Sequence, residues 1–244
     1  MVLMASSAEA RRSRRQHVLP NGTTYWRSAF IHNPPQLAAP SPNAFLVEQA
    51  PDSVILPHFH QANQFQVVVA GGGRLGKHAV GRITAHYANA YTPYGPIHAG
   101  AEGLHYFTLR DDFDPGARFM PGARADLKPV RRRHALGEPL TPMTEDALAA
   151  TAGIEQIAVL DPEPDGLGAW NYRVPPGTST RGPDPHQGGG QYHVVVAGAL
   201  RYGDVLLPPL SCLFISGAEA PLALSAGPRG LELLVLQFPR KTNN

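Results

Sequence analysis

Pro57-His58-Phe59-His60-Gln61-Ala62-Asn63-Gln64-Phe65-Gln66-Val67-Val68-Val69-Ala70-Gly71 is the stretch on which the reading of this chain turns. Side chains on an extended strand alternate between its two faces, so His58 and His60 point the same way and both imidazoles can reach one ion. The valine-rich run that follows, closed by glycine, reads as a second strand. The same alternation places Gln64, Gln66 and Val68 on an inward face and Phe65, Val67 and Val69 outward. Gln64 is thereby a third candidate ligand. Gln66 is a candidate substrate contact or a hydrogen-bonded core amide.

Downstream, Pro93-Tyr94-Gly95-Pro96-Ile97-His98 supplies a further imidazole, His98, with Tyr94 beside it as a substrate-contact candidate. Three imidazoles gathered in one interior would repel if protonated, and neutral ligation of a cation explains them better than three separately satisfied core histidines. His78, His86 and His105 carry no such spacing and read as strand or rim residues.

The rest of the chain supports an all-β frame. Glycine and proline together make up roughly a fifth of its 244 residues, and charged residues are 16%, against about 25% in an average domain. So many breakers favour short strands over long helices. The strands expected before the middle of the chain are 45–49, 54–60, 64–70, 73–78, 82–87 and 104–109. A connector rich in Pro, Gly and Arg covers 111–140, and a helix of about ten residues follows, with Pro142 early, Glu145 and Asp146 in its first turn and a stop at Gly153. Residues 1 to about 20 are polar and basic and are expected to be disordered, and Pro34, Pro35, Pro40 and Pro42 mark an extended lead-in.

The chain also repeats itself. Phe65-Gln66-Val67-Val68-Val69-Ala70-Gly71 recurs as Tyr192-His193-Val194-Val195-Val196-Ala197-Gly198, and Ala99-Gly100-Ala101-Glu102-Gly103-Leu104 as Ala226-Gly227-Pro228-Arg229-Gly230-Leu231, both at an offset of 127. One offset at two separated places points to a duplicated domain. The expected division is 1–40 as an arm and lead-in, 41–140 as a metal-binding domain with its connector, and 141–244 as a second copy.

With these residues in view, the chain resembles the cupin superfamily, small β-barrels of jelly-roll type. The family's first motif runs Gly, five residues, His-x-His, three or four residues, Glu, six residues, Gly. Here it reads Asp52, five residues, His58-Phe59-His60, three residues, Gln64, six residues, Gly71. The second motif's Pro-x-Gly-x-x-His is matched at Pro93, Gly95 and His98, while Tyr87 and Glu102 replace its outer Gly and Asn. The resemblance implies two tandem cupin barrels with a short helical connector, and one divalent metal ion held by His58, His60, Gln64 and His98. Fe(II) is favoured, with Zn, Ni, Mn or Cu open. Gln64 in place of Glu removes a negative charge from the ion's shell, which favours an anionic or chelating substrate. In the second copy Pro183-Asp184-Pro185 stands where the histidine pair should be and Ser225 opposite His98, while Gln191 answers to Gln64. His186 and His193 could rebuild a site, but His186 is out of register by one residue, so this copy is expected to buttress the first or mediate subunit contacts.

The resemblance implies an Fe(II) dioxygenase acting on a small phenolic, catecholic or dicarbonyl substrate. A metal-dependent isomerase, lyase or decarboxylase, and a non-catalytic small-molecule-binding cupin, are the alternatives. A formal charge of +2, with no aromatics between the arginines of 11–15 and 131–133, gives no reason to expect nucleic acid. No apolar segment reaches the ~18 residues of a membrane span, and the one cysteine, Cys212, sits in an apolar run. A cytoplasmic location fits these features. A homo-oligomer and an internal pair of barrels both remain open.

Overall fold

The valine-rich stretch forms one long strand, Gln64–Leu75, in a computed structural model that describes residues 1–32 and 41–241. It lies between Ala85–Ala88 and Ile97–Arg110, and the sheet continues through Asn43–Gln49, Thr24–Ile31 and Arg15–Val18, with His134–Leu136 on the far side of Ala85–Ala88. All of these pairings are antiparallel. A separate two-stranded piece pairs His58–Phe59 with Arg118–Phe119. This sheet belongs to one compact unit, Arg11–Leu140.

A second unit comprises Thr141–Asn244 together with Met1–Ala10. Its sheet runs Val2–Ala5, Cys212–Ile215, Gln191–Tyr202, Ala223–Gln237, Gly168–Val174, Glu155–Leu160. Four of the first unit's strands recur here at the same offset: Gln64–Leu75 as Gln191–Tyr202, His78–Val80 as Val205–Leu207, Ala85–Ala88 as Cys212–Ile215, and the end of Ile97–Arg110 as the end of Ala223–Gln237. Backbone detail recurs too. Gly71 and Gly198 both have φ 68, and a Cβ on either would lie 2.1 Å from a carbonyl oxygen, that of Gly103 or of Gly230. Only glycine fits where two strands approach this closely at positive φ.

Strand accounts for 50% of the chain and helix for 7%, an all-β composition. The helix expected over 142–153 is shorter, Glu145–Ala149, with the Thr144 side chain accepting from the Ala147 amide at its start. No helix among the described residues is long and apolar enough to cross a membrane.

The expected disordered arm is corrected. Val2–Ala5 pairs with Cys212–Ile215, Ser7–Arg11 is a short helix, and Arg15–Val18 and Thr24–Ile31 extend the first unit's sheet. Val2, Leu3 and Met4, overlooked beside the arginines, provide an edge strand. Of the prolines expected to mark the lead-in, Pro34, Pro35 and Pro40 lie outside the described residues.

Candidate functional site

Cross-strand register assembles the site. On Ile97–Arg110 the residues Tyr106, Thr108 and Arg110 share one face, and they stand opposite Val68, Gln66 and Gln64 in turn. On the next strand Val47 and Phe45 face Tyr106 and Thr108. On the other side Gln66 is paired with His86. His58 is held across from them by reciprocal backbone hydrogen bonds with Tyr94, of 3.1 and 3.0 Å. His58, His60, Gln66, Tyr94, Tyr106 and Arg110 line a cavity of about 140 Å³.

Each histidine of the pair has its Nδ1 engaged. The Nδ1–H of His58 donates to the Leu56 carbonyl at 2.7 Å, and that of His60 to the Asp114 carboxylate at 2.8 Å. Such partners fix the tautomer and turn the Nε2 lone pair toward whatever the ring is to bind. Burial, the neighbouring His60 and the positive charge of Arg110 push the His58 pKa down to about 3, against a smaller upward pull from the Leu56 carbonyl and Asp114. Burial and Arg110 likewise lower that of His60, against the upward pull of Asp114. Both rings are therefore neutral at ordinary pH.

Asp114 and Arg110 organise this end of the cavity. The Asp114 carboxylate accepts from the Gln61 amide at 2.7 Å, the Gly116 amide at 2.9 Å and the Arg110 guanidinium at 3.3 Å, besides His60. Burial opposes its ionisation, but these donors hold its pKa down at about 2. Arg110 in turn donates through Nε to the Gln64 carbonyl oxygen at 3.3 Å, and one of its terminal nitrogens lies 3.0 Å from His60 Nδ1 and 3.2 Å from Nε2. The Gln64 amide group donates to the Tyr94 hydroxyl. Burial raises the Tyr94 pKa, so the phenol stays protonated.

The sequence-derived candidates thus separate. His58, His60, Gln64, Gln66 and Tyr94 come together. His98 does not join them: its strand neighbours Ile97 and Ala99 face the apolar core, so alternation turns His98 to the other face, opposite Val54 and Arg74. Gln64 is present but committed, its oxygen to Arg110 and its nitrogen to Tyr94. Among the described residues no three His, Cys, Asp or Glu side chains form a group that could hold a metal ion. The residues fit an ion at His58 and His60 only, as two imidazole donors, and the Arg110 contact to His60 Nε2 competes with it.

Three participants were not foreseen. His86, expected as a strand or rim residue, lies on the strand Ala85–Ala88 and is buried, with its Nδ1 3.1 Å from Gln66 Oε1 and its ring 5.0 Å from that of Tyr94. Burial and the nearby His134 and His58 lower its pKa to about 3. Arg110 falls between the expected strand end at 109 and the connector expected from 111, and Asp114 falls inside that connector. The signal for Arg110 is the alternation Tyr106, Thr108, Arg110, which continues the inward face one residue past the expected strand end; none marks Asp114.

In the second unit the same positions close up. Gln191 donates to the Pro183 carbonyl at 3.0 Å and to Gln237 at 2.7 Å, and its oxygen lies 3.0 Å from His193 Nε2. His186 is exposed and bonded to Asp184. The surrounding core is apolar, built from residues such as Leu200, Leu213, Leu233 and Val235.

No family model and no curated protein matches the chain. Solved structures do. The chain is similar to a candidate dioxygenase from Nostoc punctiforme, at 13% identity and a TM-score of 0.57 over 100% of this chain and 81% of that one. It is similar to bacterial pirin from Escherichia coli in complex with nickel(II), at 12% and 0.57 over 99% and 100%. It also resembles a variant of oxalate decarboxylase from Bacillus subtilis, at 10% and 0.59 over 98% and 78%. These are cupin-fold proteins, and at such identities the likeness shows the fold: a cupin-like, all-β chain.

Proposed function

We propose that the chain is a bicupin whose N-terminal unit is a metal-dependent enzyme, an Fe(II) dioxygenase for a small anionic, chelating substrate. The observation that carries this reading is the matched pair His58 and His60, each with Nδ1 tied to a fixed acceptor and both neutral. The nickel(II) in the similar pirin and the candidate dioxygenase among similar structures support it. An ion held there supplies a Lewis acid and, as iron, a partner for O2. The remaining work falls to the chain. Arg110 sets a buried positive charge beside the ligand, Asp114 fixes both Arg110 and His60, and Gln64 holds Arg110 against Tyr94. His98 has no part in holding the ion.

Anaerobic reconstitution with Fe(II), followed by metal analysis and oxygen uptake with catechol and a 1,3-dicarbonyl, tests this. The expected result is one ion per chain, lost in His58→Ala and retained in His98→Ala, with uptake following the ion. Ion loss in His98→Ala would overturn the assignment of donors. Metal-dependent turnover without oxygen consumption would move the reaction to the isomerase, lyase or decarboxylase class. The contact between Arg110 and His60 favours a second reading, a chamber that binds a small anion with no ion at all. In that case the protein retains no metal but keeps its affinity for carboxylates.

A further inference from the structure

The cavity contains a second arginine that neither the sequence motifs nor the histidine end account for. Arg27 enters from the strand Thr24–Ile31, where it is paired with Val47. It lines the cavity with His58, Tyr106 and Arg110. Its guanidinium stacks on the Phe45 ring, 3.7 Å from the centroid, and Arg110 lies 5.2 Å from the same ring.

The two arginines differ in what their N–H groups do. Those of Arg110 are directed at Gln64, His60 and Asp114. Arg27 is half-buried and, among the described residues, its side chain makes no hydrogen bond or ion pair; its guanidinium stacks on the ring of Phe45. Tyr106 and Thr108, two buried residues that line the same cavity, make no side-chain hydrogen bond among the described residues, and neither hydroxyl is sealed in the core without a partner. A half-buried guanidinium with its planar fork unspent is available to a carboxylate, which it can bind through two parallel hydrogen bonds. With Asp114 already shared between His60 and Arg110, the two arginines leave the cavity with an excess of positive charge. The walls beside Arg27 are aromatic, from Tyr25, Phe45 and Tyr106.

We propose that Arg27 is a specificity-determining residue that binds a carboxylate of the ligand, with Tyr106 and Thr108 as neutral donors beside it, and that the cavity takes a small carboxylated aromatic. This rests on the reading of the cavity as the ligand site, and it does not require the metal ion. A ligand so held is anchored by its acid group at Arg27 and presents its other end to His58 and His60.

Catechol and 3,4-dihydroxybenzoate differ only by a carboxylate, and calorimetric titration of both into the full-length protein isolates that group. Wild-type protein is expected to bind the acid at least about tenfold tighter. In Arg27→Met the ratio falls to near one, while in Arg27→Lys part of the preference survives, because charge is kept and the planar fork is lost. Far-UV circular dichroism of each variant confirms folding. Running the series on nickel-loaded and on chelator-treated protein separates the two proposals. A preference present in both forms and abolished by Arg27→Met supports Arg27 even where the ion reading fails. An acid preference that Arg27→Met leaves intact, or wild-type protein that binds the acid no tighter than catechol, overturns it.

Discussion

The two units follow one backbone plan and fill it differently. At the shared offset His86 becomes Leu213, Tyr106 becomes Leu233, Thr108 becomes Val235 and Arg110 becomes Gln237. The first member of each pair borders a cavity in the N-terminal unit. Three of the second members, Leu213, Leu233 and Val235, lie in one apolar core, and Gln237 is tied to Gln191 and to the Gly166 carbonyl at 2.7 Å. The frame therefore needs no histidine pair and no buried arginine to fold. Polar groups at those positions of the N-terminal unit are better explained by a ligand than by stability, since burying them costs free energy that leucine does not.

This contrast can be broken most sharply at the frame itself. Gly71→Ala and Gly198→Ala should each destabilise by more than about 4 kcal/mol, because a Cβ meets a backbone carbonyl at positive φ. Urea unfolding monitored separately for each unit checks it, and a mild effect in one unit alone would mean that the frames are not equivalent. Next in size is the filling. Leu233→Ala should cost about 3 kcal/mol, within the usual range for a buried leucine. Thr108→Val in the cavity should change stability by less than about 1 kcal/mol, since its hydroxyl has no protein partner to lose. Equal losses at the two positions would contradict a hollow first unit.

Smaller effects sharpen the chemistry. Arg110→Met removes the cation that shares His60 Nε2, and a competition titration should show nickel affinity rising about tenfold. A fall would make Arg110 a support of the ion rather than its competitor. The smallest effect concerns His193, which burial holds near a pKa of about 3 against 6.5 when exposed. Its folded pKa is lowered, so the unfolded chain takes up the proton first, and the stability it contributes is full above pH 6.5 and lost as pH falls toward 3. Between pH 6.5 and about 5.5 that loss is about 1 kcal/mol, and it should be absent from the same unfolding curves in His193→Gln. An unchanged pH dependence in the variant would show that another group carries the titration.

Much of this was legible beforehand, and the misses share a cause. Alternation from His58 through Val68 is local, so the inward set Gln64, Gln66 and Val68 could be read from one strand. The 127-residue offset made the recurring strands visible because glycine pairs such as Gly71 with Gly103 leave a fixed imprint. That His98 lies apart from the histidine pair could not be read, because motif spacing says nothing of which face a strand presents once the chain has turned through Pro96. Arg110 and Asp114 were missed because their role depends on register: Arg110 becomes a site residue only through standing opposite Gln64. Arg27 is further from view still, two strands away, and its motif is an ordinary β segment.

The strand Val2–Ala5, antiparallel to Cys212–Ile215, makes the C-terminal unit discontinuous in the gene. A cut at the junction between Leu140 and Thr141, the natural place to separate the two halves for expression, would not release a whole second unit. It would strand an edge on each fragment, with Cys212–Ile215 exposed as an unpaired apolar border prone to self-association. Supplying residues 1–10 as a separate peptide, or fusing them after residue 241, is the way to obtain that unit alone. During synthesis, the earliest segment of this sheet must stay available until its partners, more than two hundred residues later, have been made.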